Sequence, residues 1–369
     1  MNVAVDLTSY HNYTGRPTGH VRYLTELLPR LRAADNVTLE IVVTRHQWTR
    51  MDFPHELEAA GGDVRVLGRF RQVALNRLNA RLDSFVDASL IFAPVNYARP
   101  AGHTPVVCVI HDLLPYTEPD YFAYRKQSPA RYRRRMRSCA RLVAISAFTA
   151  VQMCEYLDVD RDRVAVIPNG VSQPPPEAAA PPTALRDGEP FFLALGGAEP
   201  RKNAATAVAA YRIYRVRGGT HRLVLVGSDH GAHRLADILA AAPDGVLSMR
   251  RVSEEELDWL YRNAVALVFP SRHEGFGFPP LEAMARGCAA LAADCTALPE
   301  VLGDGAKLID PDDPEAWAGA MQRCAADATY RADLGRRGLE RSRLFSWDRA
   351  AGRYLALFRD VVRATEGTV

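Results

Sequence analysis

At 369 residues, with 24% charged and 48% hydrophobic residues, the chain has the length for two ordinary domains and the composition of a soluble globular protein. A net charge of +3 is too small at this length to point to nucleic acid. The six cysteines, Cys108, Cys139, Cys154, Cys288, Cys295 and Cys324, form no C-x-x-C pair, which fits reduced thiols rather than a disulfide framework or zinc site. The start "MNVAVDLTSY" lacks the basic-then-apolar pattern of a signal peptide, and no stretch approaches the ~18 apolar residues of a membrane span, so a soluble cytoplasmic protein is expected.

In chain order, "NVAVDL" (2–7), "LEIVVT" (39–44), "SLIFAP" (89–94), "PVVCVIHD" (105–112), "RLVAIS" (141–146) and "RVAVIP" (163–168) read as buried strands. Between the first two, "GHVRYLTELLPRLRAA" (19–34) predicts a helix with Val21, Leu24, Leu27, Leu28 and Leu31 on one face, kinked or shortened at Pro29. Five prolines between 174 and 182 make 173–188 a linker or exposed loop. Alternation then restarts with "FFLALGG" (191–197), "RLVLVG" (222–227), "GVLSM" (245–249), "AVALVFP" (264–270) and "CAALAAD" (288–294). Ser253 and Glu256 have the spacing of a capping box. Continuous apolar strands alternating with helices predict two Rossmann-like α/β domains, 1–172 and 189–346, each a doubly wound parallel sheet. A cleft between them, outside the carboxyl ends of the strands, is the default ligand site.

Two strand ends carry the chemistry. In "PSRHEGFGFPPLEAMARG" (270–287), a loop leaves a strand and a helix follows, with Pro280 suited to its first turn. Glu274 then lies at the loop mouth and Glu282 in the first helical turn, where an acid would also simply complement the helix dipole. Gly275 and Gly277 let backbone approach a ligand, and a helix N-terminus attracts phosphate. The pattern offers a place for phosphate and sugar flanked by two carboxylates. In "LGGAEPRKNAATAV" (195–208), Arg201 and Lys202 follow the Gly196–Gly197 turn, a fork and a point charge suited to a diphosphate.

"EPRKN" followed by "HEGFGFPPLEAMARG" resembles the donor-binding half of glycosyltransferase family 4, whose members have the GT-B fold. Glu274 and Glu282 match that family's paired-glutamate motif. "TGHVRYLTELL" (18–28), "VIHDLLPYTEPDYF" (109–122), "RLVAISAFTA" (141–150) and "VAVIPNGV" (164–171) are similar to family segments in the same order, so the likeness covers nearly the whole chain. It implies a retaining, mannosyltransferase-like group 1 enzyme that moves a hexose from a nucleoside diphosphate sugar, first a GDP-mannose-like donor, to a glycan, lipid-linked or small-molecule hydroxyl. By this resemblance Arg201 and Lys202 hold the donor diphosphate, Glu282 the ribose and Glu274 the sugar hydroxyls. Backbone from Gly275 through Phe276 and Gly277 to Phe278 contacts sugar and phosphate, with Gly197 beside them. Val252 reads the base edge, His111 approaches the reacting centre, and Gly19 lets backbone approach the diphosphate. Many members carry a second glycine beside Gly19; this chain has Thr18 and His20 there. The resemblance also implies that the segment after about 347 forms a helix crossing back onto the first domain.

No cofactor or metal is expected. "DVDRD" (158–162) begins like a calcium loop but has Arg163 and Asn169 where glycine and glutamate are required. The run "RYRRRMRSCAR" (131–141) carries six arginines around Tyr132, Met136 and Cys139. It reads either as a solvated amphipathic helix or as a patch for anionic lipid at the inner membrane face. A dehydrogenase lacks support because no G-x-G-x-x-G follows the first strand. A sugar-binding protein would need no paired diphosphate cations. A GT-B epimerase or phosphorylase stays open, since fold does not fix reaction.

Overall fold

A computed structural model describes residues 1–8, 19–50, 63–77, 80–117, 129–175, 180–185, 188–229 and 233–367. Two parallel sheets organise the chain. The first contains β1 (Asn2–Asp6), β2 (Thr38–Thr44), β3 (Asp63–Leu67), β4 (Leu90–Ala93), β5 (Val106–Ile110), β6 (Arg141–Ala144) and β7 (Val164–Val166), in the order β3-β2-β1-β4-β5-β6-β7. The second contains β8 (Phe191–Leu195), β9 (Arg222–Val226), β10 (Val246–Met249), β11 (Ala266–Phe269), β12 (Ala290–Ala293) and β13 (Lys307–Ile309), in the order β10-β9-β8-β11-β12-β13. Strand order reverses between β1 and β4 in one sheet and between β8 and β11 in the other. Such reversals open a crevice at the carboxyl ends of the strands. Both sheets have the doubly wound, Rossmann-like form predicted for them.

The strands that read as continuous apolar runs lie inside: β4, β5, β11 and β12 are buried from end to end. The two strands absent from the sequence reading, β3 and β13, are both edge strands. An edge strand has a neighbour on one side only, so "DVRVL" can expose Asp63 and Val66, and "KLI" can expose Lys307.

Two compact units divide the chain: residues 1–170 with 346–369, and residues 171–345. The described parts of the proline-rich stretch, 173–175, 180–185 and 188, fall in the second unit. There Leu185 is buried on a short turn, and the Pro175 carbonyl accepts from Arg262 Nη2 at 2.5 Å. The helix Gly19–Arg32 continues through Pro29 and ends two residues short of the expected 19–34 stretch. Its buried stripe is Tyr23, Leu24, Leu27, Leu28 and Leu31, and this tertiary burial outweighs the one lost backbone bond. Tyr23 replaces the expected Val21 in that stripe.

The last helix, Trp347–Glu366, belongs to the first unit and is capped by Ser346. Tyr23 donates its hydroxyl to Tyr354 at 2.9 Å, and the Phe92 ring of β4 meets Tyr354 and Phe358 at 5.5 and 5.0 Å. Gly170 makes the approach of this helix possible, because a Cβ there would stand 2.3 Å from the Trp347 amide nitrogen. Gly170→Ala should therefore destabilise the protein by about 1–3 kcal/mol or more through backbone overlap. Chemical denaturation of the variant checks this.

Candidate functional site

In the second unit, the loop after β8 is shaped by close backbone contacts. Gly196 and Gly197 have φ of 136° and 60°, conformations that favour glycine. A Cβ at Gly197 would lie 2.4 Å from the Ser228 carbonyl oxygen, in the loop after β9. Ala198 N–H donates to that same oxygen at 3.0 Å. The absent side chain at Gly197 is thus required by the neighbouring loop. Pro200–Lys202 then forms a single 3₁₀ turn, so Arg201 and Lys202 precede the helix Ala204–Val216 rather than opening it. Asn203 separates them at φ 56°, its amide donating to the Pro270 and Pro311 carbonyls at 3.1 and 2.8 Å. That fixes the cation-bearing turn against the loop after β11.

Both cations converge on Glu274. Lys202 Nζ stands 2.7 Å from Glu274 Oε1, and Arg201 Nη1 stands 3.4 Å from the same oxygen. Ser271 donates to it from Oγ at 2.7 Å. Arg201 also donates to Glu199 Oε1 at 2.5 Å and to the His273 carbonyl at 3.0 Å. Glu274 is only 8% exposed, so burial pushes its carboxyl up, but Lys202, Arg201 and the hydrogen bonds outweigh burial and hold it down at about 2. Burial lowers the Lys202 ammonium from its usual value, with Glu274 opposing. The result is a carboxylate ionised at every physiological pH beside two cations.

The backbone of Glu274 is gripped as well. Its N–H donates to Thr296 Oγ1 at 3.2 Å, and its carbonyl accepts from Ala297 N–H at 3.4 Å. Thr296, in the loop after β12, has φ 55°, a strained conformation for a β-branched residue.

Gly277, at φ 102°, caps the helix Phe278–Ala285, and a Cβ on it would stand 2.5 Å from Leu298 Cδ2. Because the helix starts at Phe278, Glu282 is its fifth residue and not in the first turn as expected. It therefore does not complement the end of the helix dipole. Glu282 is buried, and Tyr261 donates to its Oε2 at 3.0 Å. Phe276 is buried edge-on to Phe278 and Phe345, at 5.2 and 5.7 Å, and so anchors the loop, while Gly275 and Phe278 are half-buried. Val252 lies in the loop after β10, just before Ser253, whose capping box with Glu256 is complete.

In the first unit, His111 follows β5 and is buried. Its Nε2 lies 2.8 Å from the Pro94 carbonyl. A carbonyl only accepts, so Nε2 carries the proton and Nδ1 is the acceptor face. Burial, then the adjacent His20, push His111 well below the ordinary imidazole range, so the ring is neutral. His20 packs edge-on against it with ring centroids 4.4 Å apart. Gly19 is the exposed first residue of its helix; Thr18 lies outside the described residues.

The description "Glycosyltransferase Family 4" matches residues 17–173, and "Glycosyl transferases group 1" matches residues 177–341. The chain belongs to glycosyltransferase family 4.

Relatives of this family 4 chain include the serotype-specific mannosyltransferase WbdA of Escherichia coli, 29% identical over 73% of this chain and 35% of that protein. The O-antigen chain mannosyltransferase RfbU of Salmonella typhimurium is 29% identical over 58% of this chain and 59% of that protein. The matched region thus spans about a third to three fifths of these relatives. Among solved structures, sucrose-phosphate synthase of Thermosynechococcus elongatus is similar in fold, with TM-score 0.73 at 20% identity over 98% of this chain and 99% of that one. Anabaena HepE in complex with UDP-glucose has TM-score 0.72 at 16% identity over 100% and 99%.

In this family 4 chain, the residues the sequence missed are those that hold the named ones: Ser271, Thr296, Asn203 and Tyr261. Asn203 and Ser271 lie inside the two stretches singled out above without a role of their own there, and Thr296 and Tyr261 lie in neither. Asp158 of "DVDRD" caps the helix Ala147–Leu157 and pairs with Arg137 at 2.7 Å. Along the basic run, Arg131, Arg134, Arg137 and Arg141 are exposed, while the Arg133 guanidinium lies 5.2 Å over the Tyr156 ring.

The depressed carboxyl of Glu274 contributes stability that is complete above its unfolded value of 4.5 and is lost as pH falls toward about 2. Glu274→Gln should remove that acid-side loss and cost about 3–5 kcal/mol at neutral pH, since it strands a buried cation. Melting curves of both proteins between pH 2 and 7 measure it.

Proposed function

We propose that this chain is a retaining, metal-independent hexosyltransferase of the cytoplasm. It would move a hexose from a nucleoside diphosphate sugar to a hydroxyl of a glycan, lipid-linked sugar or small molecule. The observation that carries the reading is the convergence of Arg201 and Lys202 on buried Glu274 at the carboxyl ends of β8 and β11. Breaking a sugar–phosphate bond leaves negative charge on the diphosphate and positive charge on the ring. Two cations beside one anion, already in place, match that separation and need no reorganisation during the reaction. An ammonium has three donors, so its bond to Glu274 does not exhaust Lys202.

In this reading Arg201 and Lys202 take the diphosphate, and Glu274 binds the sugar hydroxyls and steadies the charged ring without attacking it. A phosphate oxygen of the leaving group draws the proton from the acceptor hydroxyl on the same face, which preserves anomeric configuration. Glu282 takes the ribose, and the backbone at Val252 meets the base. Gly197 and the Gly275–Phe278 backbone line the donor. Gly19 approaches the diphosphate, and neutral His111 offers Nδ1 as an acceptor near the reacting centre. The mannosyltransferase relatives favour a GDP-mannose-like donor.

The exposed arginines of 131–141 favour a second element, peripheral contact with anionic lipid. Binding to phosphatidylglycerol vesicles should weaken steeply with salt; absence of binding at low salt would refute it.

Lys202→Ala should lower kcat by roughly 10²–10³-fold, the effect of losing one preorganised charge contact, with the chain still folded because Arg201 and Ser271 continue to satisfy Glu274. Turnover of GDP-mannose, UDP-glucose and related donors, with and without acceptor, tests both the role and the reaction class. Near-normal turnover in the variant overturns the diphosphate role, and sugar epimerisation without acceptor would favour an epimerase.

A further inference from the structure

Glu282 is held by a group of side chains drawn from two helices. Tyr261, on the helix Glu254–Asn263, is 1% exposed and donates its hydroxyl to Glu282 Oε2 at 3.0 Å. Arg286, immediately after the helix Phe278–Ala285, makes three contacts at once. Its Nη1 donates to the Glu282 carbonyl at 3.1 Å, its guanidinium lies 5.3 Å over the Tyr261 ring, and its Nε donates to Asp258 Oδ1 at 2.6 Å. Asp258, one turn before Tyr261, is 3% exposed and accepts from Arg262 Nε through its other oxygen at 2.7 Å. A single guanidinium therefore grips the backbone of Glu282, the ring that carries its hydroxyl donor, and a buried anion.

Packing alone would need only the ring of Tyr261. The hydroxyl adds a hydrogen bond to a carboxylate oxygen, and this fixes rotation of the carboxylate about its last bond. The two oxygens share a plane, so engaging Oε2 also sets the direction of Oε1.

We propose that Tyr261 is a positioning residue that aims the Glu282 carboxylate at the ribose hydroxyls of the donor nucleotide, with Arg286 and Asp258 holding Tyr261 in place. The proposal rests on the assignment of the ribose to Glu282. Tyr261 thereby acts on discrimination between ribose and deoxyribose, not on the reaction at the sugar.

The test measures binding of GDP against 2′,3′-dideoxy-GDP, and of UDP against 2′,3′-dideoxy-UDP, to the full chain and to Tyr261→Phe, Glu282→Gln and the double variant. Hydrogen bonds to a charged acceptor set the expected ribose preference of the parent at about tenfold or more. Phenylalanine keeps the ring beneath Arg286, so the fold is retained, which a melting curve verifies. Tyr261→Phe should reduce the ribose preference several-fold while leaving affinity for the dideoxy ligand unchanged. Glu282→Gln should abolish the preference, and the double variant should match Glu282→Gln. Equal weakening of both ligands by Tyr261→Phe, or an unchanged preference while Glu282→Gln loses it, overturns the role of Tyr261. A preference that survives Glu282→Gln overturns the ribose assignment itself.

Discussion

Taking a carboxylate out of water costs several kcal/mol unless opposite charge and hydrogen bonds meet it. Glu274 is buried with Lys202, Arg201 and Ser271 on the same oxygen, and its carboxyl falls to about 2 despite burial. Much of the second unit serves this one meeting. Asn203 ties the cationic turn to the loop after β11, and Ala297 and Thr296 hold the Glu274 backbone from the next loop along. Three loops, after β8, β11 and β12, are locked to one another at the carboxyl edge of the sheet. In the proposed reaction the same charges would meet the departing diphosphate and the charged sugar.

The architecture and the charged members of the site were legible because each leaves a local trace. Buried parallel strands have to be continuously apolar, and the loop that follows such a strand locates Glu274, Arg201 and Lys202 even though 72 residues separate Lys202 from Glu274. Position within the helix was harder to read. Pro280 was expected in the first turn and is there, but Gly277 caps the helix and Phe278 opens it, which moves Glu282 beyond that turn. The edge strands β3 and β13 escaped because half-covered backbone does not demand an apolar run. Thr296 and Tyr261 left no signal, and Ser271 none beyond its place in the loop of Glu274: each matters through where the fold brings its hydroxyl.

Backbone strain is concentrated where loops have to touch. Gly197 and Gly227 press two loops together so closely that a Cβ on Gly227 would sit 2.2 Å from the Gly197 nitrogen. Thr296 and Asn203 adopt left-handed conformations without glycine's freedom, and in both the side chain makes a hydrogen bond that helps offset the cost. In the first unit Asn96 repeats the device at φ 53°, with its Oδ1 accepting from the His111 N–H at 2.5 Å.

The first unit is discontinuous: its last helix is encoded after the whole of residues 171–345. On the ribosome, the surface around Phe92 and Tyr23 that Tyr354 and Phe358 will cover stays bare while that intervening stretch is made. At about 5–20 residues per second this wait is on the order of 10–35 s. The second unit, contiguous in sequence, can close first. Vectorial synthesis thus inverts the order of maturation, and an apolar surface of the first unit depends for its protection on a helix made after the whole second unit.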